Sequence, residues 1–443
     1  MPDTQIHAAP HIGLPSYTPH PARSFALGEV HARPFRAVSS PRVFLRYGFV
    51  VDEEAVVADN AWFRDYCQSI GAQGPDEAVR HHLVRVGDTG LRRELHGEFV
   101  TYTWDGPLPA SGDIEGAPAG HPFGAGFRPP GPLLVAVRLD LVKADGEAFS
   151  RQLERFDHAS LAVSEVEDGA AIIASDFRQD GDGLTRMIIG DRSLSDVQAG
   201  VLTQRLLELE TYRTFAMLGL TEANRQAPRV LAIEQGLLGI ADRMRAIDGL
   251  DANRTLLDEL TRLAADLEAG AAASAYRFGA SRAYYMIVRQ RLESIDERQR
   301  GGSFTFSEFL TRRMAPAMRT CETLEERQAN LSRKLARAAT LLRTRVDVQL
   351  QEQNRGQLEA MNRRARLQLR LQQTVEGLSV AAVSYYVVGL MAYLTKALTK
   401  SRFGALLPAP EIMTGLAVPV VLVVIFLMVR RIRKSHGDTE GHP

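Results

Sequence analysis

A cluster of basic side chains near the start of the chain has the clearest chemical potential. The segment GEVHARPFR carries His31, Arg33 and Arg36. The arginine guanidinium is a planar fork that binds phosphate or carboxylate through two parallel hydrogen bonds, so an anion or nucleotide-phosphate site is one interpretation. The other is a structural turn whose arginines pair with carboxylates of the same domain. We favour the turn, because function has to be argued from an assembled site.

A second set of polar residues lies in an apolar segment near the C-terminus. Ser379, Tyr386 and Tyr393 recur at every seventh position, with Ala382 and Gly389 between them. This spacing places all five on one face of a helix. Small and polar faces of membrane helices usually mediate helix–helix contact. A pore lining is the alternative, because polar intramembrane faces also mark transport pathways.

Familiar catalytic motifs are missing from the sequence. It contains no P-loop, HExxH, CxxC or nucleophile elbow. Cys67 and Cys321 are too far apart in sequence for a metal-ligand motif, and Asp180 and Asp182 lack the rest of a calcium loop. Gly124-Ala125-Gly126 precedes prolines, where a dinucleotide fingerprint would need a helix. We therefore expect no catalytic residues, cofactor or metal.

The composition describes a chain that can build a sizeable core. Of its 443 residues, 45% are hydrophobic, and 53 basic residues balance 53 acidic ones. A neutral total gives no general attraction to nucleic acid, so no nucleic-acid partner is expected. Residues 1–24 lack a basic and an apolar region, so they do not form a secretory signal. We expect them to be a flexible tail.

Two uncharged segments predict membrane-spanning helices. They are GLSVAAVSYYVVGLMAYLT at 377–395 and IMTGLAVPVVLVVIFLMV at 412–429. Each is close to the roughly 20 apolar residues that cross a bilayer. A kink is expected at Pro419, whose freed carbonyl can be satisfied by neighbouring groups. The lipid bilayer is therefore an expected partner.

Flanking charges predict the orientation of this hairpin. Four arginines shortly precede the first span and four basic residues follow the second, whereas the loop at 396–411 carries three. Basic residues are retained on the cytoplasmic side. We therefore expect residues 1–375 and the basic tail at 430–443 in the cytoplasm, with Arg402 periplasmic, in a bacterial inner membrane.

Residues 25–190 are predicted to form a mixed α/β domain that is rich in strands. LLVAVRLDLV alternates with the period of two that is typical of a half-buried strand, and HGEFVTYTW is rich in strand-forming residues. GAAIIASDF and LTRMIIG flank DGDG, which predicts a hairpin. The stretch from Pro107 to Pro132, rich in Gly and Pro, is expected to be a loop. His81 and His82 are expected to form a surface pair on a helix or loop.

Residues 191–320 are predicted to be helical. The first helix begins at a capping box in SLSDVQ and is expected to end near Gly219. A second helix is expected to run from a cap at Asn253 to Gly270. A third should stop at the glycine pair after Arg300.

Residues 321–376 are predicted to form a stalk helix that leads into the first span. The segment contains no proline, and its apolar residues keep coiled-coil spacing. These residues are Leu331, Leu335, Ala338, Leu342, Leu358, Met361 and Ala365. A helix from Thr323 to Thr395 would be on the order of 100 Å long. Its stripe needs cover from preceding helices or from other copies, so we expect a homo-oligomer through the stalk and spans.

Several segments resemble a bacterial family of uncharacterised membrane-anchored proteins. They are HARPF, RFGASRAYY, EFLTRRMAPA, LLRTRVD and, above all, LQLRLQQTVEGLSVAAVSYYVVGL. The resemblance covers nearly the whole chain, from about Glu29 to the second span. It implies a membrane location and transfers no activity.

The layout also resembles the CorA-type divalent-cation transporters. That resemblance implies a cytoplasmic α/β domain, a long stalk helix, two spans and a pentamer. Their Gly-Met-Asn motif is only partly matched, because Ala405 and Leu406 follow Phe403-Gly404. Lys400 and Arg402 would also repel an approaching cation.

The sequence thus predicts an α+β protein with two C-terminal transmembrane helices. We interpret it as a non-enzymatic, membrane-anchored protein that self-associates. An ion channel or transporter of CorA type with altered selectivity is the alternative.

Overall fold

A computed structural model describes residues 20–23, 27, 36–76, 79–108, 116, 118–246, 248–399 and 409–437. The chain divides into two compact units. The first contains Met1–Arg243 and Glu259–Ala338, and the second contains Met244–Asp258 and Ala339–Pro443.

The first unit is built on a nine-stranded sheet within the described residues, in the order β2-β3-β4-β1-β5-β8-β7-β6-β9. The strands are β1 (Arg42–Val50), β2 (His81–Val86), β3 (Thr89–Leu95), β4 (Phe99–Gly106), β5 (Leu133–Lys143), β6 (Ala162–Val166), β7 (Ala171–Ser175), β8 (Thr185–Asp191) and β9 (Arg298–Gln299). The helices are α1 (Glu53–Ser69), α2 (Glu147–Arg155), α3 (Asp196–Ala246), α4 (Leu250–Ile295), α5 (Phe306–Thr399) and α6 (Pro410–Gly437). The α+β class that the sequence predicts is confirmed.

The sheet consists of two antiparallel halves joined by one parallel ladder. Tyr47 in β1 lies opposite Tyr102 in β4 and Ala136 in β5. Strand β5 then pairs with β8 in parallel, with Leu139 beside Met187. A parallel pair needs a crossover, and here α2, β6 and β7 intervene between the two strands. Strands β7 and β8 form the predicted hairpin.

Long helices cover one face of the sheet. The shared core contains Leu139 of β5, Phe215 of α3, Val288 of α4 and Phe306 of α5, all at most 1% exposed. The apolar stripes from which helices were predicted after residue 191 are therefore buried against this face of the sheet.

Helices α1 and α2 cover the other face of the sheet. Phe63 of α1 packs with Trp104 of β4 in one cluster. A charged group is buried beside them, where Arg93 Nε and the Tyr102 hydroxyl each donate to Asp59 at 2.7 Å. Both side chains of the Asp59–Arg93 pair are fully buried.

Strand β5 differs from the half-buried strand that its alternation predicts. Its second set of side chains is also buried, because Arg138 and Asp140 are each 1% exposed. Arg138 Nε donates to Asp140 Oδ1 at 3.0 Å, and Arg138 Nη1 donates to the Gly116 carbonyl at 2.7 Å. The side chains of β5 that were expected to face solvent thus form a buried ion pair instead.

Two glycines that predicted helix ends lie inside helices instead. A Cβ at Gly219 would meet Ser281 Oγ of α4 at 2.6 Å and Cys321 Sγ of α5 at 3.2 Å. A Cβ at Gly270 would meet Gln226 Oε1 of α3 at 3.2 Å. These glycines are needed for close packing between helices and do not end a helix, and both α3 and α4 continue past them. The two helices predicted on either side of Gly270 are therefore one helix, α4.

Helix starts follow the predicted capping chemistry at one position and depart from it at two. The Ser195 backbone N–H donates to Gln198 Oε1 at 3.1 Å, and the Gln198 N–H donates to Ser195 Oγ at 3.3 Å, which confirms the capping box. Asn253 is not a cap, because α4 already begins at Leu250. Helix α5 begins earlier than expected, after a second capping box made by Thr305 and Glu308.

The second unit contains the end of α5 and all of α6. Leu342 and Val346 are buried, and Asn253 Nδ2 donates to Gln349 Oε1 at 3.1 Å. Helix α6 continues through Pro419.

Candidate functional site

The basic cluster near the start of the chain can be located only through Arg36. His31 and Arg33 lie outside the described residues. Arg36 Nη1 donates to Asp105 Oδ1 at 2.5 Å, and Arg42 Nε donates to the other oxygen of the same carboxylate at 2.5 Å. Arg36 therefore pairs with a carboxylate of its own domain, as the structural-turn interpretation expects.

The alternation of strands β1, β3 and β4 gathers more charges on the face toward α3. Arg46 Nη2 donates to Glu94 Oε2 at 3.1 Å, and Arg46 Nε donates to Thr103 Oγ1 at 2.8 Å. Burial alone would raise the pKa of Glu94. Contact with His81 and the positive charges of Arg46 and Arg92 outweigh burial, and they hold the pKa of Glu94 well below its ordinary value.

A small cavity lies between these strands and the first turns of α3. Its volume is about 40 Å³, and its lining includes Arg36, Arg46, Arg92 and Thr203. A Cβ at Gly200 would lie 1.6 Å from the Arg36 carbonyl oxygen, so the chain at Arg36 crosses α3 in direct contact with its backbone. We call this space the arginine cavity.

Sequence reasoning did not find most of this cavity. Charged residues at alternate positions of RVFLRYGFV and TGLRREL could have indicated a polar sheet face that contains Arg46 and Arg92. No signal marked Thr203, which lies inside an apolar helix. His81 and His82 were also misplaced, because they lie on strand β2 rather than on a helix or loop. The His81 side chain is 7% exposed, with Nδ1 at 3.7 Å from Glu94 Oε1.

A larger polar cleft of about 570 Å³ lies beside the β7–β8 hairpin. Asp180 accepts from Arg186 Nε at 2.5 Å and from the backbone N–H groups of Asp182 and Leu184, both at 2.9 Å. Arg178 pairs with Asp157 across the cleft. Most of these charges are thus held in ion pairs, and no group of three or more metal-binding side chains occurs in the described part of the chain.

Two described helices are long and apolar enough to cross a membrane. The apolar windows of α5 and α6 have mean hydropathies of 1.6 and 2.8 and are almost wholly uncovered within the chain. The stripe between them contains Ser384 and Val421, which are 4% and 8% exposed. The hydroxyls of Thr395 and Thr414 lie 3.5 Å apart at one end.

The polar face predicted in the first span lies outside this stripe. Tyr386 and Tyr393 are 71% and 77% exposed, and Ser379 is also exposed. A Cβ at Gly389 would meet nothing within 4 Å. The hairpin thus forms without the predicted face, which stays available to lipid or to another molecule.

The end of the stalk is equally uncovered. Residues 351–375 are exposed, apart from half-buried Ala360. Leu358 and Met361 are 61% and 64% exposed, and Leu369 is 59% exposed. With Ala365 they follow one another at spacings of three or four residues, so they share one helix face. We call them the stalk stripe.

Comparison with known proteins identifies the family of this chain but no relative of known activity. Residues 18–436 match the model of a family described as "Protein of unknown function (DUF3422)". No curated protein matches the chain. Among solved structures, the CorA magnesium transporter from Methanocaldococcus jannaschii is 13% identical, over 67% of this chain and 89% of that chain. Its TM-score of 0.17 carries no conclusion.

Proposed function

The chain belongs to the family described as protein of unknown function (DUF3422), and we propose that it is a membrane-anchored protein that self-associates without enzymatic activity. It would hold its α+β domain at the cytoplasmic face of a bacterial inner membrane. The proposal needs no cofactor and no nucleic acid.

The stalk stripe is the observation that carries self-association. Burying a leucine or methionine side chain stabilises a contact by about 1.5–3 kcal/mol. Leu358, Met361 and Leu369 leave most of that stabilisation unused in a single chain. A second copy of the chain carries the same stripe at the same distance from the membrane. Two copies could therefore cover each other's stripes without a different protein as partner. The exposed face of Tyr386 and Tyr393 would continue this contact in the bilayer.

Cysteine cross-linking of the full chain in native membranes tests the contact. Cys67 and Cys321 are both buried, and burial raises the pKa of each thiol, so both should react slowly. Met361→Cys on the stripe should cross-link efficiently with a short bismaleimide. The matched control is Arg363→Cys, which lies on the opposite side of the helix and should cross-link far less. Equal yields from both variants, or none from either, would refute self-association through the stripe.

The orientation can be tested separately. We propose that residues 1–375 and 430–443 are cytoplasmic, since basic residues flank both ends of the hairpin. The loop that carries Ser401 lies outside the described residues. A membrane-impermeant maleimide should label Ser401→Cys in intact cells. Labelling that requires cell lysis would reverse the assigned topology.

The uncovered face of Tyr386 and Tyr393 also favours a second candidate, an ion channel or transporter with altered selectivity. In a ring of copies that face could line a central axis. Efficient magnesium uptake is not expected, because Ala405 and Leu406 offer no polar group to an ion that holds its water tightly. Flux into proteoliposomes with magnesium, cobalt, zinc and protons decides the matter. Saturable uptake that is lost in Tyr386→Phe or Tyr386→Ala would replace the anchor with the channel.

A further inference from the structure

The geometry of the arginine cavity points to a second property of the cytoplasmic domain. We propose that this cavity binds a small monovalent anion, of the size of formate or chloride, between Arg92, Arg46 and Thr203. The anion would lie between the charged face of the sheet and the first turns of α3.

The charges of the lining leave a positive excess. Arg36, Arg46 and Arg92 line the cavity, and Asp105 is the carboxylate among its described lining residues. Glu94 lies outside this lining and pairs with Arg46. The Asp105 carboxylate is already held by Arg36 and by Arg42, each at 2.5 Å. Arg92 is half-buried and makes no hydrogen bond or ion pair with the residues that the structure describes. Glu94 is close enough to interact with the charge of Arg92, but it is ion-paired with Arg46 instead. A partly buried cation without an ion-pair partner favours the approach of an anion.

Arg92 and Arg46 also repel each other across the cavity. Burial lowers the pKa of Arg46, the charges of Glu94 and Glu208 raise it, and the nearby charge of Arg92 lowers it again. A bound anion would relieve this repulsion for both guanidinium groups at once. Guanidinium groups form strong, charge-assisted hydrogen bonds to anions.

Thr203 supplies an independent observation. It is 3% exposed, and its Oγ1 is fully buried without a hydrogen-bond partner among the described residues. A threonine inside a helix can satisfy its hydroxyl by donating to a carbonyl of the preceding turn, yet Thr203 does not. An unsatisfied buried hydroxyl costs about 1–3 kcal/mol. An anion in the cavity that Thr203 lines would accept this hydrogen bond.

The size of the cavity sets the class of ligand. One water molecule requires about 10–15 Å³ of such space, so about 40 Å³ holds roughly three atoms of that size. Chloride or the three heavy atoms of formate fit this space. Tetrahedral phosphate, with five heavy atoms, does not fit without movement of the walls.

Thermal unfolding of the full chain in detergent tests the proposal. Sodium formate or chloride replaces sodium gluconate at constant total salt, because gluconate is too large for the cavity. An anion that binds only the folded state raises its unfolding temperature. We expect a saturable rise of about 3 °C with formate or chloride and none with phosphate.

Two variants and one control separate binding from general charge effects. Arg92→Gln removes the cation that has no ion-pair partner among the described residues, and Thr203→Val replaces the unsatisfied hydroxyl by a methyl group of similar size. Both should abolish the saturable rise, and Thr203→Val should melt no lower than the parent protein without anion. Arg85→Gln loses a charge on the same face outside the cavity and should keep the rise. An absent rise in the parent protein, an unchanged rise in both variants, or a response to phosphate alone would overturn the proposal.

Discussion

Removal of the Asp59 carboxylate should be among the most damaging single changes in the first unit. Asp59 lies on α1 with no exposed side-chain surface. Its two oxygens accept from Arg93 Nε and from the Tyr102 hydroxyl, both at 2.7 Å. In Asp59→Ala the guanidinium of Arg93 stays buried, because Phe63 and the sheet still enclose it. The variant therefore has a buried charge without a counter-charge.

The magnitude follows from that unpaired charge. Removing one partner of a buried ion pair costs about 3–5 kcal/mol. We therefore expect Asp59→Ala to lower the free energy of unfolding by about 4 kcal/mol. Buried pairs can often be replaced by apolar side chains at little cost. Asp59→Leu combined with Arg93→Met and Tyr102→Phe, which also removes the hydroxyl that would lose its acceptor, should therefore recover most of the loss.

The assay can be confined to the relevant part of the molecule. The chain has two tryptophans, and both Trp62 and Trp104 lie in this cluster. Urea titration followed by tryptophan fluorescence reports its unfolding without removal of the membrane segments. Asp65→Ala is the matched control, because Asp65 is exposed on the same helix and should change stability by less than about 0.5 kcal/mol. Equal effects of Asp59→Ala and Asp65→Ala would refute the reasoning.

Three further predictions concern packing, pH and truncation. Gly219→Ala should destabilise the protein by about 1–3 kcal/mol, because the new methyl group would lie 2.6 Å from Ser281 Oγ. The same change at Gly239, where a Cβ meets nothing within 4 Å, should stabilise it by about 0.5–1 kcal/mol; thermal melts that give both changes the same sign would contradict this. The folded-state pKa of Glu94 is depressed, so its contribution of about 2 kcal/mol is present in full above its ordinary pKa and is lost progressively as pH falls from there toward the depressed folded-state pKa. Urea midpoints at pH 7 and pH 3.5 should therefore differ less in Glu94→Gln than in the parent protein, and an equal difference would exclude Glu94 as a source. Deletion from Gly377 onward should leave a soluble chain with a cooperative thermal transition, whereas aggregation without one would mean that the spans complete the fold.

The sequence predicted the strands well where a local pattern decides the structure. Alternation predicted β5, the DGDG turn predicted the β7–β8 hairpin, and the capping box at Ser195 predicted the start of α3. The helix ends failed at Gly219 and Gly270, because a glycine that ends a helix and one that admits a neighbouring helix look alike in sequence. Only the contact partner distinguishes them, and here that partner is far away along the chain.

The arginine cavity could be predicted only in part for a related reason. Arg36 was identified within its local cluster, but its partner Asp105 comes from a distant strand. Alternating charges in β1 and β3 can indicate a polar sheet face, yet they do not reveal which helix covers it. Thr203 becomes informative only when its buried environment is known.

The order of strands has a consequence for how the chain is made. The outer edge of β6 pairs with β9, where Glu165 lies opposite Arg298. Ribosomes add about 5–20 residues per second, so this edge must wait through synthesis of α3 and α4 before its partner emerges. An open sheet edge is a template for pairing with another chain. Until then, the charge of Glu165, which pairs with Arg192 at 3.0 Å, disfavours pairing of this edge with another chain. Replacing Glu165 by an uncharged residue should therefore reduce the yield of newly made protein more than the stability of the folded protein.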